Sequence, residues 1–350
     1  MDDHRRLIRY PHESPPDTGT ATEIADGVLW IRLPLPMALD HVNVYALDDG
    51  DGWTLVDTGL DSRKTRAVWS TLLNGPLAAK PVRRVLVTHH HPDHIGLAGW
   101  FQAHHGAELL TTRTAWLFAR MLSLDVQDRP SAEATKFWKN AGMPPLLLAE
   151  RLSERPFNFA DVIAPLPLGY TRISEGDRLD LAGRTWQVRC GNGHAPEHAT
   201  LWSENDDLVL GGDQLLPSIS PNLGVYPTEP EADPVTEWMD SCRHFQNFAH
   251  GDHFVLPGHK LPYVGLPTRL DQMIENHVSA LDRLEHALTT PSTACDCFLP
   301  VFKREISGSQ YGLAMVEAVA HCLHLWHSGR VTRWRREDGA WVYQRRDGDG

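Results

Sequence analysis

Residues 87–96, Val-Thr-His-His-His-Pro-Asp-His-Ile-Gly, place four histidines and an aspartate within six positions, directly after an apolar run. Imidazole and carboxylate are the side chains that hold zinc, iron or manganese. Strand side chains alternate with period two, so His89 and His91, leaving the strand-like "RRVLV", point one way and His90 the other. His90 is therefore not expected to be a ligand. Asp93 and His94 fall where the next helix begins and approach the same space from a second wall. A helix cap would account for Asp93 alone, but not for the histidines beside it.

Three later segments end a strand-like run with a further candidate ligand: "VRCGNGHAPEH" offers His194, "LVLGGDQLL" offers Asp213 and "FVLPGHK" offers His259. Each ligand follows glycine, which lets the backbone turn sharply and come close to a bound group. Taken singly each could be an ordinary turn residue. A glycine followed by a ligand at a strand end, met three times, suits loops that converge. No Gly-x-Ser-x-Gly stretch offers a serine nucleophile in their place.

The elements that must position these residues alternate between strand and helix. Runs at 27–33, 41–47 and 52–59 read as strands, 62–75 as a helix, 82–88 as a strand and 95–106 as a helix. A block with no strand in it follows at 113–155, and strands resume at 177–211. The helices therefore read as an insertion into a two-sheet framework. Its aromatic and long apolar residues, Trp116, Phe118, Met121, Phe137 and Trp138, could form a lid, with Trp116 and Trp138 expected at the substrate cleft. After His259 come long helices at 268–290 and 311–328, then "RVTRWRRE" and "AWVYQRR", which suggest a two-stranded wing.

The expected organisation is a polar, Pro-rich and disordered or loosely attached tail over 1–20, a catalytic domain over 21–265, and a C-terminal helical module over 266–350. The 350 residues carry a formal charge of −12, which argues against a general affinity for nucleic acid. No run approaches the ~20 apolar residues of a membrane span, and the start lacks an apolar signal core. Five scattered cysteines without a C-x-x-C pair suit a reducing compartment, so the expectation is a cytoplasmic protein with no membrane partner.

Strand, His-x-His-x-Asp-His, Gly-His, Gly-Asp and Gly-His in this order resemble the metallo-β-lactamase superfamily over roughly residues 24–265, with "VDTGL" at 56–60 in the place of its Asp-Thr-Gly turn. "LDHVNVYAL", "THHHPDHIGLAGW", "GHAPEH" and "PGH" look like the branch related to hydroxyacylglutathione hydrolases, glyoxalase II-like, with an added winged-helix-type module. The resemblance implies an α/β fold of the αββα sandwich type. It also implies two divalent metal ions per chain, zinc first and iron or manganese as alternatives. His89, His91 and His194 would hold one ion and Asp93, His94 and His259 the other, with Asp213 between them. Asp57 would stand behind these ligands, although Asp-Thr-Gly by itself reads equally as a turn after a strand; His198 is read either as a further group behind them, the reading slightly favoured, or as the polar start of the next strand. Glu197 departs from the small residue many relatives carry there, which suggests extra charge near the metals.

The expected activity is hydrolysis of a carboxylic ester, thioester or lactone by a metal-bound hydroxide, with Asp93 or Asp213 carrying a proton to the leaving group. The substrate would be a small molecule, and the C-terminal module would wall the cleft and could support a homodimer. A phosphodiesterase or endoribonuclease is the alternative, resting on Arg333, Arg335, Arg336, Arg345 and Arg346 among aromatic residues. A non-catalytic metal-dependent sensor or DNA-binding regulator ranks last.

Overall fold

The computed structural model describes residues 7–346. The chain divides into two compact units, the first taking the chain up to Val126 with Asn158–Pro221 and Phe245–Leu270, the second taking Gln127–Phe157, Asn222–His244 and the chain from Asp271.

The first unit holds two sheets. One is seven-stranded, in the order β1 (Thr22–Ala25), β2 (Val28–Pro34), β3 (His41–Asp48), β4 (Trp53–Val56), β5 (Val82–Leu86), β6 (Glu108–Thr111), β7 (Thr171–Arg172). It is antiparallel as far as β4 and parallel from β4 to β7. The other runs β13 (Tyr263–Val264), β12 (Phe254–Pro257), β11 (Leu208–Gly212), β10 (His198–Ser203), β9 (Arg184–Gly191), β8 (Arg178–Leu181), with only β11 and β12 parallel.

Strand β3 shows why the sheets stack. It is buried on both faces, and its period-two alternation sends Tyr45 and Leu47 toward Trp186, Val188 and Leu201 of the second sheet, and Val42, Val44 and Ala46 toward the helices. On that helical side lie α1 (Arg63–Leu73), α2 (Pro92–Ile95), α3 (Ala98–His105) and α4 (Arg113–Leu124). Ser62 starts α1 by accepting the Thr65 amide, and Val68, Trp69 and Leu72 form its buried face. The mixed α/β sandwich expected from the sequence is present.

Two expectations need correction. The run at 95–106 is not one helix: α2 ends at Ile95 and α3 starts at Ala98, with Gly96 packed so closely that a Cβ would lie 2.4 Å from the Pro92 oxygen and 2.5 Å from the Gly59 oxygen. The tail expected over 1–20 is not loose where it is described. Arg9 exchanges two backbone hydrogen bonds with Val264, and the His12 ring lies against Trp30 and Phe254. Residues 1–6 lie outside the described residues.

The second unit contains α5 (Ala132–Asn140), α6 (Pro145–Ser153), most of α7 (Pro234–Gln246) and of α8 (Leu266–Ala287), α9 (Phe298–Phe302), α10 (Tyr311–His327) and a hairpin of β14 (Val331–Arg335) with β15 (Trp341–Arg345). The helical insertion thus contributes α4 to the first unit and α5 and α6 to the second. Helix α10 is buried on most of its circumference, a wider face than the single stripe that helical spacing suggests. Among the described residues no helix is long and apolar enough to cross a membrane.

Candidate metal centre

The strand β5 ends at Leu86, and the chain turns through Thr88 and His89 to His91, which immediately precedes Pro92 at the first position of α2. Asp93 sits in the first turn of this four-residue helix and His94 follows it. No side chain caps α2, so the aspartate is not used in the way the simplest reading of the sequence would have it.

Three sets of side chains converge: His89, His91 and His194; His89, His94 and Asp213; and Asp93, His94 and His259, each with ligand atoms within 4.8 Å of one another. In the first set, His91 Nδ1 lies 2.9 Å from His89 Nε2 and 3.0 Å from His194 Nε2. Asp213 reaches the other sets, with Oδ1 at 3.4 Å from His94 Nε2 and Oδ2 at 3.6 Å from His194 Nε2 and 3.2 Å from His259 Nε2. Asp93 Oδ2 lies 3.4 Å from His259 Nε2 and 3.7 Å from His94 Nε2. All seven residues proposed from the sequence as ligands therefore meet in one place.

Hydrogen bonds behind the rings decide which nitrogen faces the centre. Asp57, buried and in the left-handed region at φ 63°, accepts from the Thr88 amide at 2.8 Å, from the Thr88 hydroxyl at 2.8 Å and from His94 Nδ1 at 2.7 Å. The Thr88 hydroxyl, having given its proton to Asp57, accepts from His89 Nδ1 at 3.0 Å. His259 Nδ1 donates to the His41 carbonyl at 2.7 Å. Each of these three rings thereby has its Nδ1 proton engaged and turns Nε2 toward the centre, the nitrogen left to bind a metal. His198 stacks on His89 at 4.5 Å, and its Nε2 accepts the Asp213 amide at 3.0 Å.

The donor set fits divalent cations. Asp57, Asp93 and Asp213 stand among imidazoles, and among the described residues no lysine or arginine pairs with them. His94 Nε2 and Asp213 Oδ1 are buried without a hydrogen-bond partner. Burial pulls His89 and His91 well below the usual imidazole range, helped by neighbouring rings, so both are neutral. For His94 burial acts the same way, but Asp213, Asp93 and Asp57 outweigh it and hold the ring well above its ordinary value; His259 is likewise held up to about 10 by Asp213 and Asp93. Burial pushes Asp213 up, yet His259 and His94 draw it well below the usual carboxylate range. The carboxylates call for positive charge at the centre, which a metal ion supplies without a proton on either ring.

Glycine makes the close approach of these segments possible. A Cβ on Gly258 would lie 2.3 Å from Asp213 Oδ1 and 2.9 Å from His94 Cε1, and one on Gly212, at φ 48°, would lie 2.5 Å from the His198 ring.

Other expected site residues fare differently. Trp116, half-buried, stacks on Tyr170 at 4.8 Å and packs against the helix-side core. Phe118 is the α4 aromatic that meets the metal loop, its ring 5.2 Å from that of His90. Trp138 belongs to α5 in the second unit. Glu197 does not bring its charge to the ligands: its Oε2 accepts the Thr114 amide at 2.8 Å and its carbonyl accepts the Thr112 hydroxyl at 2.9 Å, both at the start of α4. A carboxylate is stabilised at that end of a helix. Thr88 and the supports of His259 were not foreseen. Thr88 stood beside the histidines and could have been suspected, but a backbone carbonyl such as that of His41 leaves no mark in a sequence.

A fold of two stacked sheets flanked by helices, with histidines and aspartates gathered at the strand ends, defines a class of metal-binding α/β proteins. Residues 37–285 match the family model described as the metallo-β-lactamase superfamily, and residues 281–346 match that of a metallo-β-lactamase-like C-terminal domain. The chain belongs to the metallo-β-lactamase superfamily. A solved β-lactamase domain protein from Burkholderia ambifaria is 34% identical, covers 98% of this chain and 99% of its own, and superposes with a TM-score of 0.89. A metallo-β-lactamase family protein from Thermus thermophilus is 26% identical with a TM-score of 0.77, covering 92% of this chain and 100% of its own. A probable metallo-hydrolase from Bacillus subtilis, YqjP, is 27% identical over 308 residues, 85% of this chain and 91% of its own.

Proposed function

We propose that the protein is a metal-dependent hydrolase that binds two divalent ions, zinc first, and cleaves a carboxylic ester, thioester or lactone. The observation that carries this reading is the position of Asp213, whose carboxylate oxygens lie 3.2–3.6 Å from His94, His194 and His259 and so serve both halves of the ligand set. His89, His91 and His194 would hold one ion, Asp93, His94 and His259 the other, and Asp213 both. Bound there, divalent cations lower the pKa of water and polarise the bond under attack. Asp93, with 18% of its side chain exposed against 8% for Asp213, is the better placed carboxylate to pass a proton at Oδ2 toward a leaving group.

The apolar residues of α4 support an acyl substrate, and the glyoxalase II-like motifs favour the thioester end of that range. The nuclease alternative is less well supported than the sequence suggested. Arg333 has 5% of its side chain exposed and pairs with Glu231 at 2.6 Å, while Arg336 pairs with Asp338 at 2.7 Å, so these arginines are engaged within the second unit. We take the hairpin after α10 as the wing of a winged-helix-type module that does not bind nucleic acid. All five cysteines are thiols, which supports a cytoplasmic location.

The test is metal analysis of the purified protein beside turnover of thioester, ester, lactone and phosphodiester panels. The expected result is about two ions per chain with turnover in the acyl panels that is lost on chelation. Undiminished turnover in metal-free protein, or turnover of phosphodiesters alone, would overturn the proposal.

A further inference from the structure

The segment Pro257–Lys260, which carries His259, is gripped by side chains and backbone of β2 and β3. Asn43, 1% exposed, donates through Nδ2 to the Pro257 carbonyl at 3.0 Å and to the Lys260 carbonyl at 2.8 Å, and its own amide donates to the Gly258 carbonyl at 2.6 Å. The Tyr45 hydroxyl donates to the Pro257 carbonyl at 2.9 Å. Arg32 donates to Asn43 Oδ1 at 3.3 Å and to the Lys260 carbonyl at 3.0 Å. His41 accepts twice, from His259 Nδ1 on its carbonyl at 2.7 Å and from the Lys260 amide on its Nε2 at 2.9 Å.

This grip holds a conformation that the segment would not adopt by itself. Lys260 has φ 70°, a left-handed backbone in a residue that is not glycine, and such strain persists only where its surroundings over-determine it. His41 is not a free base beside the centre: its Nε2 already accepts, so its Nδ1 carries the proton and donates it to Asp40 at 2.7 Å.

The supports of the two ligand groups are also unequal. Asp57 holds His94 of one group directly and His89 of the other through Thr88, so it serves both. Of the segments that carry the proposed ligands, Asn43 hydrogen-bonds to the one bearing His259. We infer that Asn43 is a positioning residue private to the second ion, so that the two metal positions can be weakened separately. The inference rests on the two-ion reading above.

Asn43→Asp tests it, because it keeps the shape and replaces the donating amide by an oxygen that faces two carbonyl oxygens. Zinc is titrated into metal-free protein against a chelating dye, with wild type in parallel. The expected variant binds one zinc as wild type does and the other about 10–100-fold more weakly, the usual cost of removing a group behind a ligand. Asp57→Ala, by contrast, weakens both. Equal weakening of both ions in Asn43→Asp, or no weakening, would overturn the inference while leaving the two-ion reading intact. A wild type that takes up fewer than two zinc ions overturns both. Should Asn43→Asp fail to fold, Tyr45→Phe removes one bond of the same grip. A several-fold loss confined to one ion is expected, and its absence counts against the inference equally.

Discussion

Asp57→Asn is the sharpest perturbation of the centre that leaves every proposed ligand in place. Asp57 Oδ1 accepts one donor and Oδ2 accepts two, all at 2.7–2.8 Å. An amide can match only one side. With its NH2 toward His94 it opposes two donors, and His94 must move its proton from Nδ1 to Nε2, the nitrogen meant for the metal. Turned over, the NH2 opposes the Thr88 amide at a pair of buried residues, Asp57 and Thr88 each being 2% exposed. Either way at least one hydrogen bond to a charged group is lost, worth about 1.5–3 kcal/mol. At about 1.4 kcal/mol per tenfold, that is roughly a 10–100-fold loss of metal affinity. Competition between zinc-free protein and a chelating dye measures it, and melting with and without zinc shows whether the loss lies in binding or in the fold. If the Asp57→Asn variant binds zinc as tightly as wild type, the tautomer assignments of His94 and His89 are refuted together.

Gly258→Ala should push Asp213 from its place, lowering zinc stoichiometry and melting temperature together, at a cost of about 1–3 kcal/mol for overpacking; a variant with unchanged metal content counts against the close approach described. Phe118→Ala should leave zinc content intact and change the KM or chain-length preference among acyl substrates, whereas Trp116→Ala should chiefly lower the melting temperature; identical kinetics in Phe118→Ala would remove α4 from the substrate wall. In the second unit, burial pushes Glu317 up to about 7, against a smaller opposing effect of its hydrogen bond from Asn222. A carboxyl raised on folding binds its proton more tightly in the native state, so its contribution is fully present below about pH 4.3 and is lost as pH rises toward 7. Glu317→Gln should flatten that decline in stability between about pH 5 and 7.5, read from denaturant midpoints, and an unaltered slope would show that the carboxyl is not protonated in the fold.

The centre was legible because its ligands obey local rules. Four of the seven proposed ligands lie within six positions, where the period of a strand and the start of a helix dictate their directions, and the other three each follow glycine. What was not legible depends on contacts between distant segments. Helical spacing shows that Trp116 and Phe118 cannot share a face, but not which of them meets the metal loop. The rotation of α4 is set by Thr112 and by Glu197, which is 85 residues from it in sequence. Asn43 and Pro257 are 214 residues apart, and a side chain bonded to a carbonyl has no pattern to betray it. The N-terminal segment misled for a related reason: its polar, Pro-rich composition suggests disorder, yet Arg9 is held through its backbone, to which composition is blind. Strand β6 escaped because its four residues, following two histidines and a glycine, are too short to display alternation.

The division of the chain has a consequence for the order in which the centre can be assembled. After Asp213 the polypeptide leaves the first unit at Pro221 and returns at Phe245, shortly before β12 delivers His259. A chain emerging from the ribosome therefore presents His89, His91, His194 and Asp213 well before His259 exists outside the exit tunnel. One proposed ion position is complete in its ligands while the other still waits for the strand and the grip that form it. Metal capture on a growing chain would thus be ordered by translation, and a chain that stalls between the two events would carry one ion, a hydrolase in outline with half of its centre unbuilt.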